Sequence, residues 1–200
     1  EFYKNAGHVE GITGYYDVTD DEDVYMANFD KAVETLKKYY TYDEENGVFT
    51  NFPSLTYLYN TSEAHKAIGE YLQSAVSAVG ITMNLTNQEW NTFLNTRKSG
   101  DYSIARNGWI ADYNDPVSFL DMFMTDNGNN DAHYSNAEYD AIMTKVLSDS
   151  DAAGRMELMH QAEDLLVGED QAIAPLYYYS QPYMVADDVH GMYYTPLGNF

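Results

Sequence analysis

The feature that most restricts the fold is an alternation, between residues 55 and 109, of short apolar runs and helical patterns, each closed by its own stop signal. Residues 55–59 have the aromatic and apolar character of a buried strand and end at Asn60, Thr61 and Ser62. Thr61 or Ser62 then caps a helix predicted to reach Val79, with Ala64, Ile68, Tyr71, Leu72, Ala75 and Val79 on its inner face and Gly80 as its stop. Residues 81–86 alternate as a second strand and residues 88–96 read as a short helix. A third strand spans residues 102–109 and runs into the turn Ala111, Asp112, Tyr113, Asn114. Helical crossovers return a chain to its sheet in the same direction. The order therefore predicts the α/β class, with a mixed, at least partly parallel sheet flanked by helices.

The flanking segments are read the same way. Residues 1–23 mix Gly7, Gly11 and Gly14 with the acidic run Asp20 to Asp23 and read as a loop-rich entry. Residues 24–40 form an amphipathic helix with Phe29, Ala32, Val33, Leu36 and Tyr40 inward, followed by a turn at Glu45, Asn46 and Gly47. Asp115 caps a helix from Pro116 to Met124. A polar loop at 126–131 precedes two helices at 135–147 and 151–167. Residues 173–179 read as a short strand at an edge or at a crossing between layers, because Pro175 has no amide to give a central ladder, and the last twenty residues read as irregular. No internal repeat or linker stands out.

Two hundred residues suffice for one domain or one lobe of a larger protein, and twenty Tyr and eight Phe supply the buried surface that keeps so acidic a chain out of the disordered class. A net charge of -22, with ten Lys and Arg, argues against a nucleic-acid partner, whose affinity depends on cations displacing counterions. The absence of Cys removes thiolate catalysis, disulfides and Cys-based zinc sites, and is compatible with an exported protein. No apolar run approaches the roughly 20 residues of a membrane span, and no secretory leader opens the chain. Starting at Glu1 rather than Met, the sequence reads as a piece of a longer protein whose targeting signal lies upstream.

No arrangement that activates a nucleophile, a metal or a cofactor is present: no nucleophile elbow, no H-E-x-x-H, no phosphate-cradling glycine loop. His8, His65, His133, His160 and His190 are scattered. The loop with Asp126, Gly128, Asn130 and Asp131 and the run at 20–23 lack the alternating ligands and distal Glu of a calcium loop, and read as solvated polar loops. Neither catalytic residues nor cofactor or metal ligands are expected.

The informative stretch is Leu58-Tyr-Asn-Thr-Ser-Glu-Ala-His65-Lys66, then Asn87-Gln-Glu-Trp90-Asn-Thr-Phe-Leu94-Asn-Thr-Arg97, then Ala105-Arg106-Asn-Gly108-Trp109-Ile-Ala-Asp112-Tyr113-Asn114. It continues through Asp131-Ala-His-Tyr134 and Ala174-Pro-Leu-Tyr-Tyr-Tyr179. In this order and spacing it resembles the C-terminal lobe of the oligopeptide-binding proteins, the family 5 extracellular solute-binding proteins of ABC importers. Coverage runs from about residue 55 to residue 179.

The resemblance implies one lobe of a type II periplasmic-binding-protein-like clamp over residues 1–200, without its N-terminal lobe and without chemistry. Its partners would be an oligopeptide, the missing lobe and the importer's permease subunits, outside the cytoplasm. Membrane association would come only through a lipid anchor outside this chain. Asp112 matches the carboxylate that pairs with a ligand's α-ammonium, a charge-assisted contact; taken alone, it reads as a turn acid. The strand through Arg106, Gly108, Trp109 and Ile110 would offer its backbone to an extended peptide. Trp90, Trp109, Arg97 and Tyr179 match pocket-lining positions, although either Trp by itself reads as core. Arg106 and His65 match groups that reach the ligand's carboxylate. Ile110 departs from the small or sulfur-containing residue that relatives often carry there. Two other readings stay open: the same fold holding a nickel complex, a sugar or haem, and an acidic surface interaction module without transport.

Overall fold

The computed structural model describes residues 22–177, 179 and 184–193. The predicted entry loop thus falls almost wholly outside the described residues, as do Tyr178 and much of the last twenty. The end of that entry, Glu22 and Asp23, belongs instead to the first turn of a helix, where carboxylates favour the positive end of the helix dipole. The chain divides into two compact units between Gly108 and Trp109.

The first unit opens with α1 (Glu22–Lys37) and a small antiparallel ribbon, β1 (Tyr42–Asp43) and β2 (Val48–Phe49), around the predicted turn. The three-stranded sheet follows: β3 (Leu55–Asn60), α2 (Glu63–Ala78), β4 (Met83–Gln88), α3 (Trp90–Ser99) and β5 (Ile104–Ala105), in the order β4-β3-β5 with both pairings parallel. The crossover from β3 to β4 moves one way and that from β4 to β5 moves back. Right-handed crossovers then place α2 and α3 on opposite faces. The central strand records this, because Tyr57, Leu58 and Tyr59 are all buried although consecutive side chains point to opposite faces. Tyr57 and Tyr59 pack with Leu72 and Val76 of α2.

The Ser62 hydroxyl caps α2 as expected, and Ile68, Leu72 and Val79 of the predicted inner face are half-buried, but the rest of that face is turned outward. Ala64, Tyr71 and Ala75 are exposed, while Gly69 is buried, its Cα hydrogens against the Tyr57 ring. A face holding a glycine where a large apolar residue is expected is hard to count from hydrophobicity. The helix ends where Gly80 donates to Ser77 O (3.0 Å) and Ile81 to Val76 O (3.1 Å). The third predicted strand shortens to Ile104 and Ala105, since only Tyr57 and Leu58 of β3 stand opposite it.

The second unit has no sheet among the described residues. Two helices, α4 (Ala137–Ser148) and α5 (Ala152–Glu163), and a π-helical turn (Asp164–Glu169) bury Tyr139, Met143, Val146, Met159, Leu165 and Leu166 in one core. Asp115 caps as predicted, its Oδ1 accepting from Val117 N (3.0 Å), but the expected helix to Met124 is two 3-10 turns (Pro116–Phe119 and Asp121–Phe123). Arg155 fixes this cap to the helices, donating to Asp115 Oδ2 (2.9 Å) and Val146 O (3.0 Å). The predicted strand at 173–179 is not a strand among its described residues. Ala172 N still donates to Leu166 O (3.0 Å), so the backbone is tied to the π turn at the point where a strand would start.

In the loop 126–131, Asp126, Gly128 and Asn129 are exposed as expected, but Asn130 is not. Asn130 is buried; its amide donates to Tyr134 O (2.7 Å) and Met124 O (3.2 Å), and its Oδ1 accepts from Tyr134 N (3.1 Å).

Candidate functional site

Parallel strands bring their carboxyl ends to one edge, and here β3 feeds a helix on one face while β4 feeds a helix on the other. The connections leave on opposite faces, and the space outside strand ends of that kind is where open α/β sheets take ligands. Asn60 and Gln88 stand there as register partners. Asn60 Oδ1, Gln88 Oε1 and His65 Nδ1 are all buried and lack hydrogen-bond partners among the described residues. Three unmet polar atoms at one sheet edge are costly unless something supplies their bonds. His65 occupies the first turn of α2, its backbone N donating to Ser62 Oγ (3.5 Å). Burial, and then the charge of Arg106, lower its pKa from the ordinary 6.5, so the imidazole is neutral at neutral pH. Arg106 continues the ladder beyond β5, donating to Leu58 O (2.8 Å).

His65 and Arg106, predicted from the sequence, are thus joined by Asn60 and Gln88, which were not. Asn60 carries a signal, as the residue that closes the first apolar run; Gln88 carries none, since it follows polar residues and reads as the start of a helix. On α3, the Glu89 side chain accepts from Asn91 N (3.0 Å) and starts the helix at Trp90. Trp90, Phe93 and Arg97 share one face: the Trp90 and Phe93 rings are 5.8 Å apart, and the Arg97 guanidinium lies 5.1 Å from the Phe93 centroid. Trp90 remains 48% exposed over a fully buried Phe93, which leaves its outer face free for contact. Gly108 is exposed, and its N donates to Asn107 Oδ1 (2.8 Å).

In the second unit, the predicted residues Trp109 and Asp112 converge on a buried hydroxyl. Ser118 Oγ accepts from Trp109 Nε1 (3.4 Å) and from Asp112 N (3.1 Å). Trp109 is half-buried against the helical core, Ile110 is 75% exposed, and Asp112 is exposed with no cation paired to it among the described residues. The backbone of Asp112 is therefore held while its carboxylate faces water. Tyr179 is half exposed and stands edge-on to Tyr177, centroids 5.1 Å apart. Ser118 was missed by the sequence reading, because nothing in a lone Ser after a capped Pro marks it as buried.

No three His or acidic side chains converge as a metal site among the described residues. No helix among them is long and apolar enough to cross a membrane.

Residues 4–131 match the model of the bacterial extracellular solute-binding proteins, family 5. The chain belongs to that family. This family 5 chain is 35% identical over 88% of its length to the dipeptide-binding protein DppE of Bacillus subtilis, and 43% identical over 76% to the periplasmic oligopeptide-binding protein OppA of Salmonella typhimurium. It spans 32% and 28% of those relatives. Its fold superposes on Haemophilus influenzae OppA in complex with the peptide RPPGFSPFR with a TM-score of 0.68 at 35% identity, over 76% of this chain and 29% of that one. The unliganded open form of the murein tripeptide-binding protein MppA gives 0.64 at 27% identity, over 76% of this chain and 28% of that one. The α/β fold of this family 5 chain is that of the type II periplasmic-binding-protein-like peptide-binding proteins.

Proposed function

We propose that this family 5 chain is the C-terminal lobe of the substrate-binding component of an ABC importer, which captures oligopeptides outside the cytoplasm and delivers them to permease subunits without chemistry. The observation that carries the reading is Asp112: an exposed carboxylate, unpaired among the described residues, on a turn fixed from beneath by a buried hydroxyl. A ligand's α-ammonium is the natural partner of such a group, and closure of a second lobe would dry the contact and strengthen it. The exposed stretch at Gly108 would offer backbone groups, and His65 with Arg106 a pole for the ligand's carboxylate. The full-length protein would be held near the membrane by an anchor outside this chain.

Thermal unfolding of the full-length protein tests the reading. Short peptides with free amines should raise Tm, and Asp112→Asn should remove most of that rise. Equal stabilisation of both proteins would reject it. A second ligand class has one observation in its favour, a 34% identity over 60% of the chain to YgiS of Escherichia coli, a probable deoxycholate-binding protein. Stabilisation by that bile acid and by no peptide would favour the alternative.

A further inference from the structure

The sequence contains three Asn-Gly pairs, at 46–47, 107–108 and 127–128. Such pairs are the backbone's own reactive spots, because Asn is thermally labile and glycine puts no Cβ in the way of ring closure. The three differ in what holds them. Asn46 donates through Nδ2 to Asp43 Oδ2 (2.7 Å), and the Gly47 N–H is committed to Asp43 O (2.8 Å), so the attacking nitrogen points elsewhere. Asn127 is half-buried and engaged at both ends, donating to Asp121 O (2.9 Å) and accepting from Asn129 N (2.9 Å). At the third pair both residues are exposed and outside any ladder, and the Gly108 N–H points at its own neighbour's carboxamide, 2.8 Å from Asn107 Oδ1.

We propose that Asn107 is a site of spontaneous backbone modification in this chain, converting to aspartate and isoaspartate through a succinimide. The Gly108 nitrogen gives its proton to hydroxide and attacks Asn107 Cγ. The new C–N bond closes a five-membered ring, the Cγ–Nδ2 bond breaks, and the nitrogen leaves as ammonia with a proton from water. Water then adds to one of the two ring carbonyls and the bond from that carbon to the Gly108 nitrogen breaks, the nitrogen taking back a proton: opening at Cγ gives Asp, and opening at the main-chain carbonyl gives isoaspartate, with one extra methylene in the main chain. Either product places a carboxylate next to Arg106 and immediately before Gly108. The consequence rests on the peptide-binding reading: the new charge competes for Arg106 and repels a ligand's terminal carboxylate.

The test is incubation of the chain at mildly alkaline pH and body temperature, cleavage after Lys, and mass spectrometry at each pair. Asn107 should gain about one dalton at least about fivefold faster than Asn46 or Asn127, and Gly108→Ala should slow it about tenfold. Modification of Asn46 or Asn127 at an equal or greater rate, or indifference to Gly108→Ala, overturns the assignment. In the full-length protein, Asn107→Asp should weaken binding of a free peptide at least about threefold. Unchanged binding there, with Asp112→Asn still defective, removes the consequence but leaves the peptide reading intact; unchanged binding in both variants removes the peptide reading.

Discussion

Ser118 and Asp112 illustrate how a single buried hydroxyl prepares an exposed charge. Ser118→Ala leaves Asp112 N and Trp109 Nε1 without their acceptor and should cost about 1–2 kcal/mol of stability, read as a lower urea midpoint, with weaker peptide binding. Asp112→Asn should shift the midpoint of the ligand-free protein by less than about 0.5 kcal/mol while still damaging binding, because its carboxylate has no partner to lose among the described residues. A large stability loss in Asp112→Asn would mean that the group is structural. His65 has a separate signature. Its folded pKa lies below the ordinary 6.5, so the unfolded chain takes up the proton first as pH falls. The stability it contributes is complete above that value and drains away as pH drops through it toward the folded pKa. Asp115 and Asp170 are held below the usual carboxylate range, Asp115 chiefly by the Val117 amide and Asp170 chiefly by the Tyr134 hydroxyl, and lose their share only at lower pH. Urea midpoints measured from about pH 7 to pH 5 should therefore flatten in His65→Gln; an unchanged slope would place His65 in solvent-like surroundings.

At the scale of elements, the turns do as much as the core. Gly80 has φ +85°, and a Cβ there would stand 2.6 Å from Gly47 O. Gly80→Ala thus combines a left-handed backbone with a clash against the β1–β2 ribbon and should cost at least about 2 kcal/mol, measured by denaturant unfolding. Asn130→Ala removes a donor from the carbonyls of Phe123 and Tyr134 and the acceptor of the Tyr134 amide, while Met124 O keeps Asn127 N, and should cost about 2–3 kcal/mol; a loss under about 0.5 kcal/mol would mean that water replaces the amide. Much of the architecture was legible in the sequence. The strand–helix alternation, the Ser62 and Asp115 caps and the Gly80 stop are local chemistry, and local chemistry can be read from neighbours in the chain. What escaped depends on distant partners. The inner face of α2 is set by the close approach of Gly69 to Tyr57, β5 is cut short by its register on β3, and Asn130 looks like any loop residue until Tyr134 folds onto it. The site follows the same rule. His65, Arg106 and Asp112 enter the candidate site through the family resemblance, whereas Asn60 and Gln88 come forward because two strands end side by side.

For the whole molecule, the family 5 chain comprises two separately cored units and spans about a third of the length of the dipeptide-binding relative it matches. In the first unit the unmet polar atoms at the strand ends and the open face of Trp90, and in the second the Asp112 carboxylate, unpaired among the described residues, are groups that a ligand would satisfy on the proposed reading. On the proposed reading, the chain alone should hold peptide weakly, because a second lobe would bury the ligand's other side. The central claim, that the Asp112 carboxylate receives a peptide's ammonium, is tested most directly by calorimetric titration of the full-length protein and its Asp112→Asn variant with one peptide in free and N-acetylated forms. Acetylation should weaken binding to the unaltered protein by about tenfold or more, and hardly at all once the carboxylate is gone. Equal losses in both proteins would contradict the account.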